Sequence, residues 1–206
     1  MSDWPVEMDS IKGFMAPQEG AALYRAARRA AVLGPCLEIG SYCGKSAVYL
    51  GTACRAVGGL LFTVDHHRGS EENQPGWAYH DPDLWDAQAG ALDTLPALRL
   101  TLRMAGLEDS VIPIVGRSAV VARAWAQPLG LLFIDGGHTA EAAETDYRLW
   151  APHIVPGGVL AIHDVFPDPA AGGRPPYEIY CAALDSGHFA EEEAVSSLRL
   201  LRRVKN

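Results

Sequence analysis

Residues 37–46 read LEIGSYCGKS, a short strand, a turn built on Gly40 and Gly44, and a helix start at Lys45 and Ser46. Glycines in such a turn permit backbone angles and close approaches that a Cβ blocks, and the opening helix turn presents unpaired N–H groups to negative charge. The segment is therefore expected to hold an anion or a polar cofactor, and three readings compete. A dinucleotide fingerprint, G-x-G-x-x-G, fails because Tyr42 stands two places after Gly40. A P-loop, G-x-x-x-x-G-K-[ST], fits Gly44-Lys45-Ser46, but Ile39 stands where its first glycine belongs, so the loop is one residue short. LLFID at residues 131–135 would serve as its acidic partner strand. The third reading takes in Glu38, giving E-x-G-x-x-x-G. Asp65 then closes the next strand, where a carboxylate can accept both hydroxyls of a ribose.

Outward from this turn the chain alternates short Leu-rich or β-branched runs with longer Ala-rich patterns of helical period. The strand candidates are residues 36–39, 60–64, 111–115, 131–134 and 159–162. They are largely apolar on both faces, as in a parallel sheet with helices on both sides. Helical patterns occupy residues 18–33, 45–57, 92–105, 118–125 and 140–150, and after Tyr177 one more helix precedes a terminal antiparallel strand at 196–204. The expected fold class is α/β. Two segments break the alternation, residues 66–88 and 166–176. Both leave the carboxyl end of a strand, where open α/β sheets bind ligands, and they are candidate walls of an active site.

The 206 residues carry 17 Lys and Arg against 25 Asp and Glu, a net charge of −8, with 49% hydrophobic residues. This is the balance of a single globular domain over residues 1–206, with 1–17 as an N-terminal segment. No basic run offsets the negative charge, which argues against nucleic acid or an anionic membrane as partner. No stretch approaches the roughly 20 apolar residues that span a bilayer, and residues 1–18 carry acids and a proline where a signal peptide needs a basic and then an apolar run. A cytoplasmic protein is expected. Cys36, Cys43, Cys54 and Cys181 contain no C-x-x-C pair and read as reduced thiols.

Residues 131–165 read LLFIDGGHTAEAAETDYRLWAPHIVPGGVLAIHDV. Asp135 and His138 leave the fourth strand candidate, His163 and Asp164 the fifth. Neighbouring strands lie about 4.8 Å apart, so the four groups converge over one small space. Two carboxylates at adjacent buried strand ends repel each other unless they share a cation. Plainer readings stand beside this one: His163 as a buried histidine bonded to the backbone, and His138 as a cap of the following helix.

The glycine turn, Asp65 and the Gly116-Arg117-Ser118 segment after the third strand candidate together resemble the Rossmann-like S-adenosylmethionine-dependent methyltransferases. The D-x-x-H and H-D strand ends, with W-A-P and P-G-G between them, resemble the metal-dependent members that methylate small hydroxyl compounds, including sugar O-methyltransferases of macrolide and aminocoumarin pathways. The resemblance spans residues 37–166. It implies a seven-stranded, mostly parallel sheet and S-adenosyl-L-methionine as cofactor. Glu38, Gly40, Ser41, Gly44, Ser46, Asp65, His66, Arg117, Ser118 and Asp135 would contact that cofactor. It also implies a divalent cation, Mg²⁺, on Asp135 and Asp164, to which His163 is added here as a candidate third ligand, and His138 as the base that deprotonates the acceptor. His163 departs from the acidic pair of the sugar enzymes. Imidazole is a poor partner for Mg²⁺, so either His163 stands aside or the site tolerates Mn²⁺ or another transition metal, and a methyltransferase fold without a catalytic metal stands as the alternative.

Within residues 66–88 the aromatics Trp77, Tyr79 and Trp85 alternate with His67, Arg68, Glu71, Glu72, His80 and Asp81. Flat rings with hydrogen-bonding neighbours suit a small polyhydroxylated acceptor such as a sugar or oligosaccharide. The same rings would also seal a dimer interface or the loop's own core. The runs S-Y-C-G-K-S, V-D-H-H-R-G-S-E-E-N and G-G-R-P-P-Y-E-I-Y look similar to an actinobacterial group that includes the 1-O-methyltransferase of mycobacterial methylmannose polysaccharides. That likeness implies a 3-O-methylated mannoside as acceptor. Trp4, Phe14, Trp77 and Trp85 lie outside the core pattern, and a homodimer using them is expected.

Overall fold

Strand β1 (Cys36–Ile39) is buried at all four positions, and a strand so enclosed needs neighbours on both edges and cover on both faces. The computed structural model, which describes residues 4–77, 79–137 and 139–204, supplies both. Strands β2 (Leu61–Asp65) and β6 (Leu129–Ile134) flank β1 in parallel. Strand β5 (Val111–Val115) pairs with the outer edge of β2, and β7 (Ile154–Ile162) with that of β6. The antiparallel β9 (Leu198–Arg203) and then β8 (Phe189–Val195) complete a seven-stranded sheet of order β5-β2-β1-β6-β7-β9-β8.

Alternate side chains along the parallel strands divide the core in two. Cys36, Leu61, Leu131, Phe133 and Ala161 pack with α1 (Pro17–Ala30), α2 (Lys45–Ala56) and α3 (Leu95–Met104). Leu37, Ile39, Leu132, Ile134 and Leu160 pack with α5 (Ala140–Trp150) and α6 (Pro175–Asp185). Among the described residues no helix is long and apolar enough to cross a membrane. All four cysteines are free thiols.

The departures from the sequence reading have local causes. The expected helix at 92–105 begins only at Leu95, because Leu92 is held opposite Trp85 in a small ribbon of β3 (Trp85–Asp86) and β4 (Ala91–Leu92). The expected helix at 118–125 is one turn, α4 (Ser118–Val121), followed by a 3₁₀ turn at Ala122–Ala124. Strand β8 is missing from the sequence reading. Its centre is Glu191, Glu192 and Glu193, three acids with no period-2 pattern, and it forms because it pairs with β9 and because Arg25 and Arg29 of α1 bond Glu193 and Glu192. Trp4 packs edge-on against Tyr24 and Tyr49 of its own chain, at 5.2 and 4.5 Å between ring centroids.

Helix α1 reaches α2 through Gly20, where an added Cβ would lie 2.2 Å from the Tyr49 ring. Tyr49 is buried beneath Trp4 and cannot yield. Gly20→Ala should therefore destabilise the protein by about 1–3 kcal/mol despite the better helix propensity of alanine, measured as a lower denaturant midpoint.

Candidate active site

The carboxyl ends of β1, β2, β6 and β7 are joined by backbone bonds beyond the strands themselves. Gly40 N–H donates to Val64 O at 3.0 Å, Asp135 N–H to Ile39 O at 3.0 Å, and His163 N–H to Ile134 O at 3.1 Å. Gly40 has φ of 91°, and a Cβ there would lie 2.1 Å from the Asp135 carbonyl oxygen. Only glycine satisfies both conditions. This edge opens into a cleft of about 1140 Å³, large enough for a nucleoside cofactor and a small acceptor together.

Asp65 organises the first half of the cleft. Its carboxylate accepts from the Tyr42 N–H at 2.9 Å and the His67 N–H at 2.7 Å, which locks the glycine turn to the start of the 66–88 loop. Each oxygen keeps a second lone pair for a ligand in the cleft. The same contact counts against the P-loop reading. The Tyr42 amide is already bonded to a carboxylate and the Gly44 amide to Ser41 O at 2.7 Å, so two of the donors that a phosphate-wrapping loop would need are committed, one of them to a negative charge.

Gly40, Ser41, Ser46, Asp65, His66, Arg117, Ser118 and Asp135 all line this cleft. Ser41 is 1% exposed and its hydroxyl has no hydrogen-bond partner. The Ser118 hydroxyl is engaged, donating to Asp146 at 2.6 Å and accepting from the Trp150 indole at 2.7 Å. Glu38 and Gly44 stand behind the wall and do not line it. Gly44, with φ of 92°, caps α2. Glu38 is fully buried, accepts from the Thr63 hydroxyl at 2.6 Å through Oε2, and leaves Oε1 unsatisfied. Burial pushes its carboxyl up to about 7, against the pull of the Ser46 and Thr63 hydroxyls.

Asp135, His163 and Asp164 form the floor of the second half, with one ligand atom of each within 4.8 Å of the others. His163 Nδ1 lies 3.1 Å from Asp135 Oδ1 and 3.5 Å from Asp164 Oδ2, and Asp164 takes a φ of 55° that turns the chain out of the sheet. His138 lies outside the described residues. Burial alone would lower His163, but the Asp135, Asp164 and Glu19 carboxylates push it up to about 12.

Three residues of this region escaped the sequence reading. Glu19 of α1 bonds His163 Nε2 at 3.2 Å, and burial would raise its carboxyl, yet His163 and Ser197 hold it down to about 2. Its N-cap spacing in α1 was the one available signal. Asp146 of α5 lines the cleft, its carboxyl pushed up by burial to about 6. Lys12 clasps Asp81 at 2.6 Å and Asp83 at 2.9 Å, and so pins the N-terminal segment across the 66–88 loop. Phe14 then stacks edge-on over Tyr79 at 5.2 Å and near Tyr42 at 5.8 Å along the rim. Of the loop's aromatics, Tyr79 lines the cleft, whereas Trp77 and Trp85 do not.

A parallel sheet with one reversed strand, ligand cleft at its carboxyl edge and an acid at the end of β2, is the class I fold of S-adenosylmethionine-dependent methyltransferases. A model of the methyltransferase domain matches residues 37–165, and the chain belongs to that family. Among solved structures it is similar to cofactor-bound Rv0187 from MTB, at 18% identity over 97% of this chain and 87% of that one, with a TM-score of 0.67. It also matches the O-methyltransferase TomG from Streptomyces achromogenes, involved in tomaymycin synthesis and solved with SAM, at 19% identity over 94% and 82%, TM-score 0.64. The O-methyltransferase NovP aligns at 16% identity over 91% and 80%, TM-score 0.69.

Glu38 gives a pH test of the cleft without any ligand. Its folded carboxyl holds a proton that the unfolded chain releases near 4.5, so the contribution of Glu38 to stability is full below about 4.5, is lost as pH rises to about 7, and changes no further above that. Glu38→Gln removes this dependence. Relative to the variant, the parent should lose on the order of 3 kcal/mol across the window, read from urea melts at matched pH; parallel curves would place the charge elsewhere.

Proposed function

We propose that this methyltransferase moves the methyl group of S-adenosyl-L-methionine onto a hydroxyl of a small polyhydroxylated acceptor, a sugar or oligosaccharide, with a divalent cation at Asp135, His163 and Asp164. One observation carries the reading: the three ligand atoms within 4.8 Å of one another share a cleft with the Gly40 turn and Asp65. A single ion at about 2.0–2.4 Å from each donor fits that spacing, and the set of two carboxylates and an imidazole suits a hard or borderline divalent ion. The aligned structures TomG and NovP are themselves O-methyltransferases, which supports oxygen as the acceptor atom.

Methyl transfer is an in-line displacement in which a carbon–sulfur bond breaks as a carbon–oxygen bond forms, and it depends on alignment and on removal of the hydroxyl proton. Asp135, His163 and Asp164 would hold the divalent ion, which would supply Lewis acidity toward the acceptor hydroxyl. Asp65 and the Gly40 turn would hold the ribose and methionyl parts of the cofactor at one end of the cleft. His138, three positions beyond Asp135, is assigned as the base that takes the proton. The rim of Phe14, Tyr42 and Tyr79, with Arg68, Glu71 and Glu72 nearby in the cleft wall, offers flat apolar faces beside hydrogen-bonding groups, the combination that receives a pyranose. A 3-O-methylated mannoside is the first acceptor to assay.

Excess EDTA should abolish turnover while S-adenosylhomocysteine still binds, and Asp65→Ala should weaken that binding by about 1.5–3 kcal/mol, the scale of hydrogen bonds to a charged group. His138→Ala should lower kcat by roughly 10²–10⁴. Full activity in EDTA would remove the cation from this proposal. Trp77 is 54% exposed and does not line the cleft, and association of two copies through the 66–88 loop is part of the same proposal; a single-chain mass by light scattering at micromolar concentration would refute it.

A further inference from the structure

The imidazole on the cleft floor is held from behind by a carboxylate whose own hydrogen bonds decide which ring nitrogen faces the cleft. Glu19 is 3% exposed. Its Oε1 accepts from the Ser197 N–H at 2.9 Å and the Ser197 hydroxyl at 2.8 Å, and its Oε2 accepts from the Ala16 N–H at 3.2 Å. The remaining contact of Oε2 is His163 Nε2 at 3.2 Å. A carboxylate held by three other donors is an acceptor toward the ring, so Nε2 keeps its hydrogen for Glu19 and Nδ1 is the nitrogen left to give up its proton to an incoming cation. Nδ1 is also the nitrogen that faces Asp135 and Asp164.

We propose that Glu19 is a positioning residue that fixes His163 as a nitrogen ligand through Nδ1, and that the resulting site, one imidazole and two carboxylates, selects a transition ion such as Mn²⁺ or Co²⁺ over Mg²⁺. This rests on the cation reading above and specifies which cation. A carboxylate behind a ligating histidine orients the ring and raises its basicity, and losing such a partner typically weakens metal binding 10–100-fold. Mg²⁺ gains little from either effect, because it prefers oxygen donors and keeps much of its water. The carboxylate also comes from an element remote from the strand ends: α1 reaches the floor only because Glu19 sits in its first turn, where it bonds the Ala16 amide as well.

Calorimetric titration of the whole protein with MgCl₂, MnCl₂ and CoCl₂ tests this, on the parent, Glu19→Gln and His163→Asp, with S-adenosylhomocysteine binding measured on each as a check of the fold. The parent should bind Co²⁺ at least ~100-fold more tightly than Mg²⁺. Glu19→Gln should weaken Co²⁺ by ~10–100-fold while moving Mg²⁺ by less than about threefold, and His163→Asp should narrow the Co²⁺ to Mg²⁺ ratio. Unchanged Co²⁺ affinity in a Glu19→Gln protein that binds S-adenosylhomocysteine would overturn the inference. Pulsed electron paramagnetic resonance of Mn²⁺ on the parent decides it without any variant: coupling to a directly bound imidazole nitrogen is expected, and its absence from bound Mn²⁺ refutes the role of His163. A parent that binds S-adenosylhomocysteine and none of the three ions would instead bring down the cation reading itself.

Discussion

The missing side chain at Gly40 is the constraint on which the site depends. Its Cα abuts the Asp135 carbonyl so closely that a methyl group would sit at 2.1 Å, inside the distance at which atoms can pack. Because nothing intervenes, β1 and β6 stay in register to their last residues, Ile39 opposite Ile134. The turn that follows β1 and the acid that follows β6 are then delivered side by side. A larger residue at position 40 would have to push the two strand ends apart, and the two halves of the cleft would separate with them.

The price of that convergence is a crowd of carboxylates at one sheet edge, and the protein treats each one differently. Asp65 is satisfied by two backbone amides. Glu38 is sunk so deep that burial favours its neutral form. Glu19 is saturated by Ser197, Ala16 and His163. Asp135 and Asp164 are the ones left facing each other across His163 at the cleft floor. Like charges in so small a space require a counter-charge, and the imidazole between them supplies one when protonated.

Much of this was legible in the sequence where function follows from local order. Strand candidates 36–39 and 111–115 and the helix at 140–150 coincide with the observed elements, because apolar runs bounded by turn residues admit few other structures. Residues 135, 163 and 164 come together because adjacent strand ends must. Glu19 was not legible: it lies 144 positions from His163, and a helix-start glutamate is far more often just a cap. The same holds for Lys12, whose partners are 69 and 71 positions away. Nor did the sequence indicate that Trp77 and Trp85 would turn away from the cleft while Tyr79 and Phe14 met over it, since spacing within an irregular loop carries no periodicity from which to read direction.

The two outer strands of the sheet bear on how copies of this chain can meet. Strand β5 contains Pro113, which has no N–H to offer a further strand, and β8 is studded with Glu191, Glu192 and Glu193, two of which are paired to α1. Both are devices that stop a sheet from growing. A continuous intermolecular sheet is thus closed off at either side, and with it the commonest route to fibrous self-association. Contact between molecules is left to side chains on the helical faces and the cleft rim.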